Sequence, residues 1–532
     1  KNFFEGKGAN VKNLLNNVNF ANYHSSLDSV RNIYDFFSKI GLVNFKVFWS
    51  KKPSRSLNNL LNKIFSESVE RELCQFEKNF FQKKFPGELH SKNQNWCHKI
   101  KKNRASNLIK NAFVFGTGLI NLGTKKYSYL YEVLIELEKI QTWTKFLVGS
   151  SFSLVNFENQ KYYSDFWLLI ENDHISDYLK GGILFGMGLN LKDDPQQEKF
   201  FIDKCKFLIK NKGEPAIKYG ACLGLALSGI RTIGDPLKSE TYRLVKNTIT
   251  TDSLAGEGAA LSIGLLFTGT SSSHLLEDVS LLIQEIEYER IRKTLVLSLG
   301  LVFLGRKDDS VKIFDKLILE KNPGIRQGAV FLYSLAFVGT GDIFVSKKLL
   351  KILTIDPDDN VKKATVIGLG FVFFSKFESI EKIFLQLIEH YNPFVRYGVC
   401  FGLFLSSYKI FAIEKIQFLL EKLSKDKIDF VRQGAFIALG LTFFGSTSSI
   451  RRKKTKRILK KAIEENLENN ISKFGSYIGS ALIELSEQIN LKKVNNERYT
   501  FNLILGLFLF LNYWTWIPNL FFILLLTKPY TQ

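Results

Sequence analysis

Small side chains recur along this chain with a period of about 36 residues, and that period limits the folds open to it. The segments "AIKYGACLGLALSG" (216–229), "FVRYGVCFGLFLSS" (394–407) and "FVRQGAFIALGLTFFG" (430–445) align with one another. With the glycine of "RYG" as position zero, the equivalent residues are Ala112, Leu147, Gly182, Gly220, Gly258, Thr294, Gly328, Ala364, Gly398, Gly434 and Gly475. These mark eleven units, the signature of a helical repeat array. Four positions on stand Gly116, Gly186, Gly224, Gly368, Gly402 and Gly479, with Ser151, Ser262, Ser298 and Ala438; only Leu332 breaks the set. Six positions on stand Gly118, Gly188, Gly264, Gly300, Gly370 and Gly440, with Ser153, Ala226, Ser334 and Ala481; Phe404 is the exception. Eleven positions on, Gly123, Gly269, Gly305, Gly339 and Gly445 close several units.

A glycine inside a helix costs about 1 kcal/mol relative to alanine, so the repeated glycines need a compensation. At about 100° per residue, positions 0 and +4 share one narrow flank and +6 lies on another. A helix smooth on two flanks can approach a neighbour on each side, and the dispersion attraction of that close packing offsets the glycine cost. The glycine at +11 fits the left-handed residue that ends a helix. Each unit therefore reads as a small-residue helix, a turn and a second, amphipathic helix such as "SIEKIFLQLIEHY" (379–391). The fold class is all-α, an α-α superhelix.

Position −2 is basic in all units but one: Lys110, Lys145, Lys180, Lys218, Arg292, Arg326, Lys362, Arg396, Arg432 and Lys473, with Gly256 the exception. A cation near a helix N-terminus opposes the macrodipole, so this row has a reason. Several units carry an acid three residues earlier, at Asp177, Asp359 and Asp429. Two explanations stand: a repeated salt bridge bracing adjacent units, or a row of cations facing an acidic partner.

The formal net charge is +22, with the basic residues spread along the chain. Dispersed surface lysine explains most of it. The run from Arg451-Arg452-Lys453-Lys454 to Lys460-Lys461 is the one place that suggests contact with a polyanion. Cys74, Cys97, Cys205, Cys222 and Cys400 include no CxxC pair, which points to a reducing compartment rather than a disulfide framework. Cys222 and Cys400 sit in apolar runs, as buried free thiols do. Cys97 and His98 are adjacent without further metal ligands near them. "GTGLINLGTKK" (116–126) lacks the phosphate-loop spacing and is simply one of the units. No nucleophile–base pair, metal set, nucleotide loop or cofactor motif is visible, so an enzyme is the least expected reading. The sequence opens at Lys1 without a signal-peptide pattern.

Units reading "(R/K)xGAxxxLGLxxxGT" resemble the proteasome/cyclosome repeats of the two largest non-ATPase subunits of the proteasome regulatory particle and the largest subunit of the anaphase-promoting complex. The match is closer to one of the two proteasomal subunits. "YNPFVRYGVCFGLFLSS", "DFVRQGAFIALGL" and "ISKFGSYIGSALIEL" are similar to its last three units in order, and "NYWTWIPNLFFILLLTKPYT" to the aromatic segment that follows. The resemblance covers roughly residues 105–530 and implies an α-toroid, with the hairpins closed into a ring and axial helices filling the hole. It implies a non-catalytic scaffold, cytoplasmic and nuclear. Its partners would be the regulatory-particle ATPase ring, the lid with its deubiquitinase module and a ubiquitin receptor, with no small-molecule substrate and no nucleic acid. The family's longer N-terminal rod is expected here in reduced form over 1–105, the repeats over 106–489 and a packed C-terminal segment over 490–532. The family's receptor-docking tail beyond the aromatic segment has no counterpart before Gln532. The paralogous subunit suggests an alternative, a binding module for ubiquitin or ubiquitin-like domains. A transport adaptor of HEAT type fits the charge but not the helix glycines.

Residues 501–527 carry no charge, long enough for a membrane span. Asn512, Thr515, Pro518 and Asn519 would then lie at the bilayer centre, with Trp514 and Trp516 beside them. Two buried apolar runs, 501–511 and 520–527, joined by a turn at "NYWTWIPN" and folded as strands or short helices, are the better division.

Overall fold

The computed structural model describes residues 104–120, 122–123, 142–155, 163–172, 175–190, 195–211, 214–229, 240–270, 272–408, 413–442, 449–464, 469–488, 497–513 and 517–526. A boundary between Lys101 and Lys102 sets the N-terminal region, which lies outside the described residues, apart from the unit that holds all of them.

Every regular element among the described residues is helical. In chain order they are α1 (Arg104–Ile120), α2 (Thr142–Val155), α3 (Tyr163–Glu171), α4 (Asp177–Asn190), α5 (Pro195–Lys210), α6 (Pro215–Gly229) and α7 (Glu240–Ile249). There follow α8 (Ser253–Leu266), α9 (Ser273–Glu285), α10 (Glu289–Val302), α11 (Lys307–Leu317), α12 (Pro323–Ala336), α13 (Ile343–Ile355) and α14 (Asp359–Val372). The last are α15 (Phe377–Leu387), α16 (Pro393–Ser406), α17 (Ile413–Leu423), α18 (Asp429–Thr442), α19 (Ser449–Glu464), α20 (Asn470–Gln488), α21 (Glu497–Tyr513) and a 3₁₀ helix, Ile517–Leu526.

The small-residue helices α1, α2 and the even-numbered α4 to α20 form a core series in which each packs on the next. The first of them, α1, also packs against the last, α20. These helices are apolar nearly all round; in α16, Tyr397 to Ser406 are all buried. The odd-numbered α3 to α19 form a flanking series, each lying mainly on the core helix that follows it. Local chemistry sets the boundaries. Asn392 caps α16 by accepting a hydrogen bond from the Phe394 N–H at 2.9 Å, and Pro393 takes the first helical position. The preceding helix α15 ends at Leu387 with Ile388 as its C-cap, short of the Tyr391 expected from the amphipathic pattern, and the residues from Glu389 to Tyr391 form the turn into α16.

The +11 residues join the core series in a way the period does not reveal. Gly123, Gly269, Gly305 and Gly339 all have φ near +70°, and Ser375 takes the same conformation at +59°. Each of the five donates its N–H to a carbonyl at the C-terminal end of the next core helix: Gly123 to Leu154 (3.2 Å), Gly269 to Leu301 (3.0 Å), Gly305 to Leu335 (3.1 Å), Gly339 to Phe371 (3.0 Å) and Ser375 to Leu405 (3.2 Å). Helix ends carry unpaired carbonyls, and here the neighbouring unit supplies their donor. Gly445, the other +11 glycine, lies outside the described residues.

The C-terminal apolar segment is helical rather than stranded, and it is buried on all sides. Leu503 to Leu511 of α21 and Leu520 to Leu525 of the 3₁₀ helix are buried throughout. Phe508 meets Phe331 and Phe371, Phe521 meets Phe115, and Phe522 meets Phe185, all at ring-centre distances of 5.0–6.2 Å. The segment thus touches α1 and α4 at one end of the series and α12 and α14 further along. Among the described residues, no helix is long and apolar enough to cross a membrane.

Candidate interaction surface

Besides the +11 hydrogen bonds, two kinds of contact that arise from the repeat positions join neighbouring units. The first is close backbone approach. A methyl group placed on Gly440 would stand 2.5 Å from the Gly479 Cα, and one on Gly188 the same distance from the Gly224 Cα. One on Gly370 would stand 2.8 Å from the Gly402 Cα, and one on Gly264 2.7 Å from the Ser298 Cα. Position +6 therefore faces position +4 of the next core helix. Position 0 faces backwards: Gly258 and Gly434 lie against the tyrosines Tyr219 and Tyr397, Gly398 against the Lys363 carbonyl, Gly475 against the Gln433 carbonyl, Gly328 against Val296, Gly182 against the Phe146 carbonyl and Gly220 against the Gly181 carbonyl. Gly186 lies against Ser153, and Gly368 against Ser334.

The second is a set of arginine clamps. Arg326 in α12 donates from Nε to Asp356 Oδ2 at 2.7 Å and from Nη2 to Asp356 Oδ1 at 3.1 Å. Its Nη1 reaches back to the Glu320 and Lys321 carbonyls at 3.0 and 2.8 Å. Arg396 in α16 repeats this on Asp426 (2.7 and 3.0 Å) and on the His390 and Tyr391 carbonyls (2.8 and 3.0 Å). Each guanidinium thus ties the turn before its own helix to the turn before the next core helix. Arg432 takes the Asp426 and Lys427 carbonyls at 2.8 and 3.1 Å. Hydrogen bonding to Asp356 outweighs burial and raises Arg326 further above its ordinary range. Burial pushes Asp426 up, but bonds from Arg396 and the Ile428 N–H outweigh it, and its carboxyl sits below the usual range.

The rest of the basic row is placed differently. Lys180 and Lys362 stand 4.0 Å from Asp177 and Asp359, the acids three residues earlier, beyond hydrogen-bond reach. Asp359 and Asp429 instead accept from Asn392 (2.6 Å) and Asn469 (2.7 Å). Arg292 is half-buried, and its Nε has no hydrogen-bond partner among the described residues. Thirty positions on, where Arg326 and Arg396 have their aspartates, the sequence has Asn322, which donates to Glu289 at 3.2 Å. Lys145, Lys218 and Lys473 are half-buried, and Lys110 lies in α1.

The flanking helices are linked by ion pairs on their solvent side: Lys204–Glu171 (3.0 Å), Lys246–Asp278 (3.0 Å), Lys348–Asp315 (2.5 Å), Lys422–Glu389 (2.7 Å) and Lys454–Glu421 (2.9 Å), with Lys210–Glu240, Lys415–Glu381 and Arg451–Glu414 at short range. This ladder is invisible in the sequence, because a flanking helix in isolation does not show which face meets its neighbour.

Cys205, Cys222 and Cys400 are buried free thiols. Burial raises all three, Cys222 to about 12. Among the described residues, no group of three or more His, Cys, Asp or Glu could hold a metal ion. Cys97 and His98 lie outside the described residues.

Comparison with known proteins places this geometry. The model of HEAT repeats matches residues 346–464. The 26S proteasome non-ATPase regulatory subunit 1 homolog A of Arabidopsis thaliana is 30% identical over 430 residues, covering 79% of this chain and 42% of that one. The regulatory subunit RPN2 of Candida glabrata is 28% identical over 441 residues, covering 80% and 46%, and the Drosophila melanogaster subunit 1 is 26% identical over 415 residues, covering 76% and 40%. This chain is a homologue of the RPN2 subunits. It spans less than half the length of the RPN2 relatives it matches. A chain from the structure of Kap95p with RanGDP matches over 75% of this chain and 61% of its own length, at 12% identity and a TM-score of 0.32, too low to bear on function.

Proposed function

We propose that this chain is a non-catalytic scaffold of a proteasome regulatory particle. In this reading it helps hold the ATPase ring, the lid and ubiquitin-processing subunits such as the deubiquitinase together for ubiquitin-dependent degradation, in cytoplasm and nucleus. The observation that carries the reading is the likeness to RPN2 subunits across about 80% of the chain. We further propose that the eleven units of 106–489 close into a toroid, plugged by the segment from 490 onward. Support comes from the packing of α1 on α20, where a methyl group on Gly116 would stand 3.4 Å from Ala481 Cβ, and from the all-round burial of α21.

The scaffold reading is tested by tagging the chain in its own cells and sizing the native complex. Co-elution with the proteasomal ATPases is expected; elution free of every proteasome subunit overturns it. Closure is tested by Gly116→Cys with Ala481→Cys. That Cβ separation suits a disulfide, so oxidation should give a reducible, faster-migrating circular species on denaturing gels. Absence of the crosslink in well-folded protein overturns closure.

A further inference from the structure

The flanking helices α15, α17 and α19 run side by side, held by ion pairs. Lys415–Glu381 joins α15 to α17, Lys422–Glu389 joins the turn after α15 to α17, and Arg451–Glu414 and Lys454–Glu421 join α17 to α19. Phe418 sits one turn after Glu414 and one turn before Lys422, in the middle of this ladder. It is nonetheless 68% exposed, and Leu385, midway between Glu381 and Glu389 on α15, is 39% exposed. The charges are occupied with one another, while two large apolar side chains face water between them.

The last of the three helices carries the densest charge of the chain. In α19, Arg451, Arg452, Lys453, Lys454, Lys456, Arg457, Lys460 and Lys461 accompany a single acid, Glu464. Thr455, Leu459, Ala462 and Ile463 are buried and set the rotation of the helix. Arg451, Lys454 and Lys456 are drawn sideways to Glu414, Glu421 and Glu484. Lys453 and Arg457, one turn apart, stay exposed, with no ion pair to a described residue. Lys460 is exposed too, and Glu464 stands 3.9 Å from it. Like charges four residues apart repel, so this stripe opposes the stability of its own helix. Apart from Glu464 beside Lys460, nothing inside the described fold uses it.

We propose that the outer face of α15, α17 and α19 binds an acidic amphipathic helix of a partner protein, its apolar side chains on Phe418 and Leu385 and its carboxylates along Lys453, Arg457 and Lys460. A helix can separate apolar and acidic faces to match the two halves of this surface. A nucleic acid spreads its charge evenly and would meet Glu389 and Glu414, which are 74% and 73% exposed beside the apolar pair. The surface lies wholly within this chain, whichever assembly the chain joins.

The test uses the full chain and a fluorescein-labelled synthetic helix of about 20 residues, glutamate on one face and leucine on the other, titrated by anisotropy. A scrambled peptide of equal composition, a single-stranded RNA and phosphatidylserine vesicles serve as competing probes. The patterned peptide should bind at least about tenfold more tightly than the scramble, and raising salt should weaken it. K453E/R457E/K460E should cost about tenfold or more in affinity and Phe418→Ala several-fold, with circular dichroism and melting temperature unchanged. Arg457→Ala alone serves as a milder version should the triple variant fold poorly. The proposal is overturned if the patterned peptide does not bind, if the scramble binds equally, if the RNA or vesicles bind more tightly, or if folded variants bind as the wild type does.

Discussion

Arg396 and Asp426, thirty residues apart, share two hydrogen bonds of 2.7 and 3.0 Å, and Arg326 and Asp356 repeat the pair at the same spacing. Both side chains of the Arg396 pair are largely buried, at 15% and 11% exposure. Arg396 also satisfies two backbone carbonyls of its own turn, so a single guanidinium locks two loops on different units. A planar fork can meet a carboxylate and two carbonyls at once, which an ammonium cannot.

Arg396→Ala should therefore destabilise the chain by about 2–4 kcal/mol, because it leaves Asp426 charged and buried and two carbonyls without donors. Arg396→Lys should recover less than half of that. In urea unfolding, a double-mutant cycle with Asp426→Asn should give a coupling above about 1 kcal/mol. A loss below about 0.5 kcal/mol would mean that the pair behaves as an exposed surface bridge.

The same pair sets an acid limit. The Asp426 carboxyl lies below its ordinary range in the folded chain, so its contribution is complete above the unfolded value of about 3.9 and is lost as pH falls through the lower folded value. The urea midpoint should drop between pH 6 and pH 3 by less in Asp426→Asn than in the wild type. Equal drops would place the acid sensitivity elsewhere.

Much of this architecture is legible in the sequence. Positions 0, +4 and +6 already separate two flanks by geometry alone, because nearly every core helix repeats one angular pattern. The arginine pairing is not legible by the same route. The acids nearest in sequence, such as Asp359 beside Lys362, lie 4.0 Å away, while the acids that pair lie a full unit downstream. The +11 residues look like local helix terminators, yet their N–H groups serve the neighbouring helix. Spacing within a unit reports which face a residue takes, but not which atom of the next unit lies opposite.

Ser375 holds the left-handed conformation that Gly269, Gly305 and Gly339 hold elsewhere, with φ +59°. A side chain there costs about 1 kcal/mol, partly balanced by the greater freedom of glycine in the unfolded chain. Ser375→Gly should raise stability by about 0.5–1 kcal/mol, read as a higher melting temperature. Ser375→Val should lower it by more than that, since a β-branched residue tolerates positive φ least.

Lys363 titrates unusually low. Burial is the main cause, Lys293 nearby adds to it and Asp358 opposes it, bringing the group to about 8. The folded chain releases this proton near pH 8 and the unfolded chain near about 10.4, so stability from this group rises with pH across that window. Lys363→Met should be more stable than the wild type at pH 7, and the difference should shrink toward pH 10. A pH-independent difference would assign the effect to packing instead.

Gly440→Ala tests the close-approach seam through the sign of its effect. On an unpacked helix face, replacing glycine with alanine stabilises by about 1 kcal/mol. Here the new methyl would stand 2.5 Å from the Gly479 Cα and 2.6 Å from its carbonyl oxygen, and both belong to backbone that a rotamer change cannot move. α18 and α20 must separate, and the dispersion attraction along the whole flank weakens as they do. The expected loss is about 1–3 kcal/mol after the intrinsic gain is offset. Gly300→Ala supplies the comparison, because its nearest backbone atom, Leu332 Cα, is 3.3 Å away and slight relaxation accommodates it. It should fall within about 1 kcal/mol of the wild type. If Gly440→Ala proves as stable as Gly300→Ala, close backbone approach is not what the repeated small residues provide.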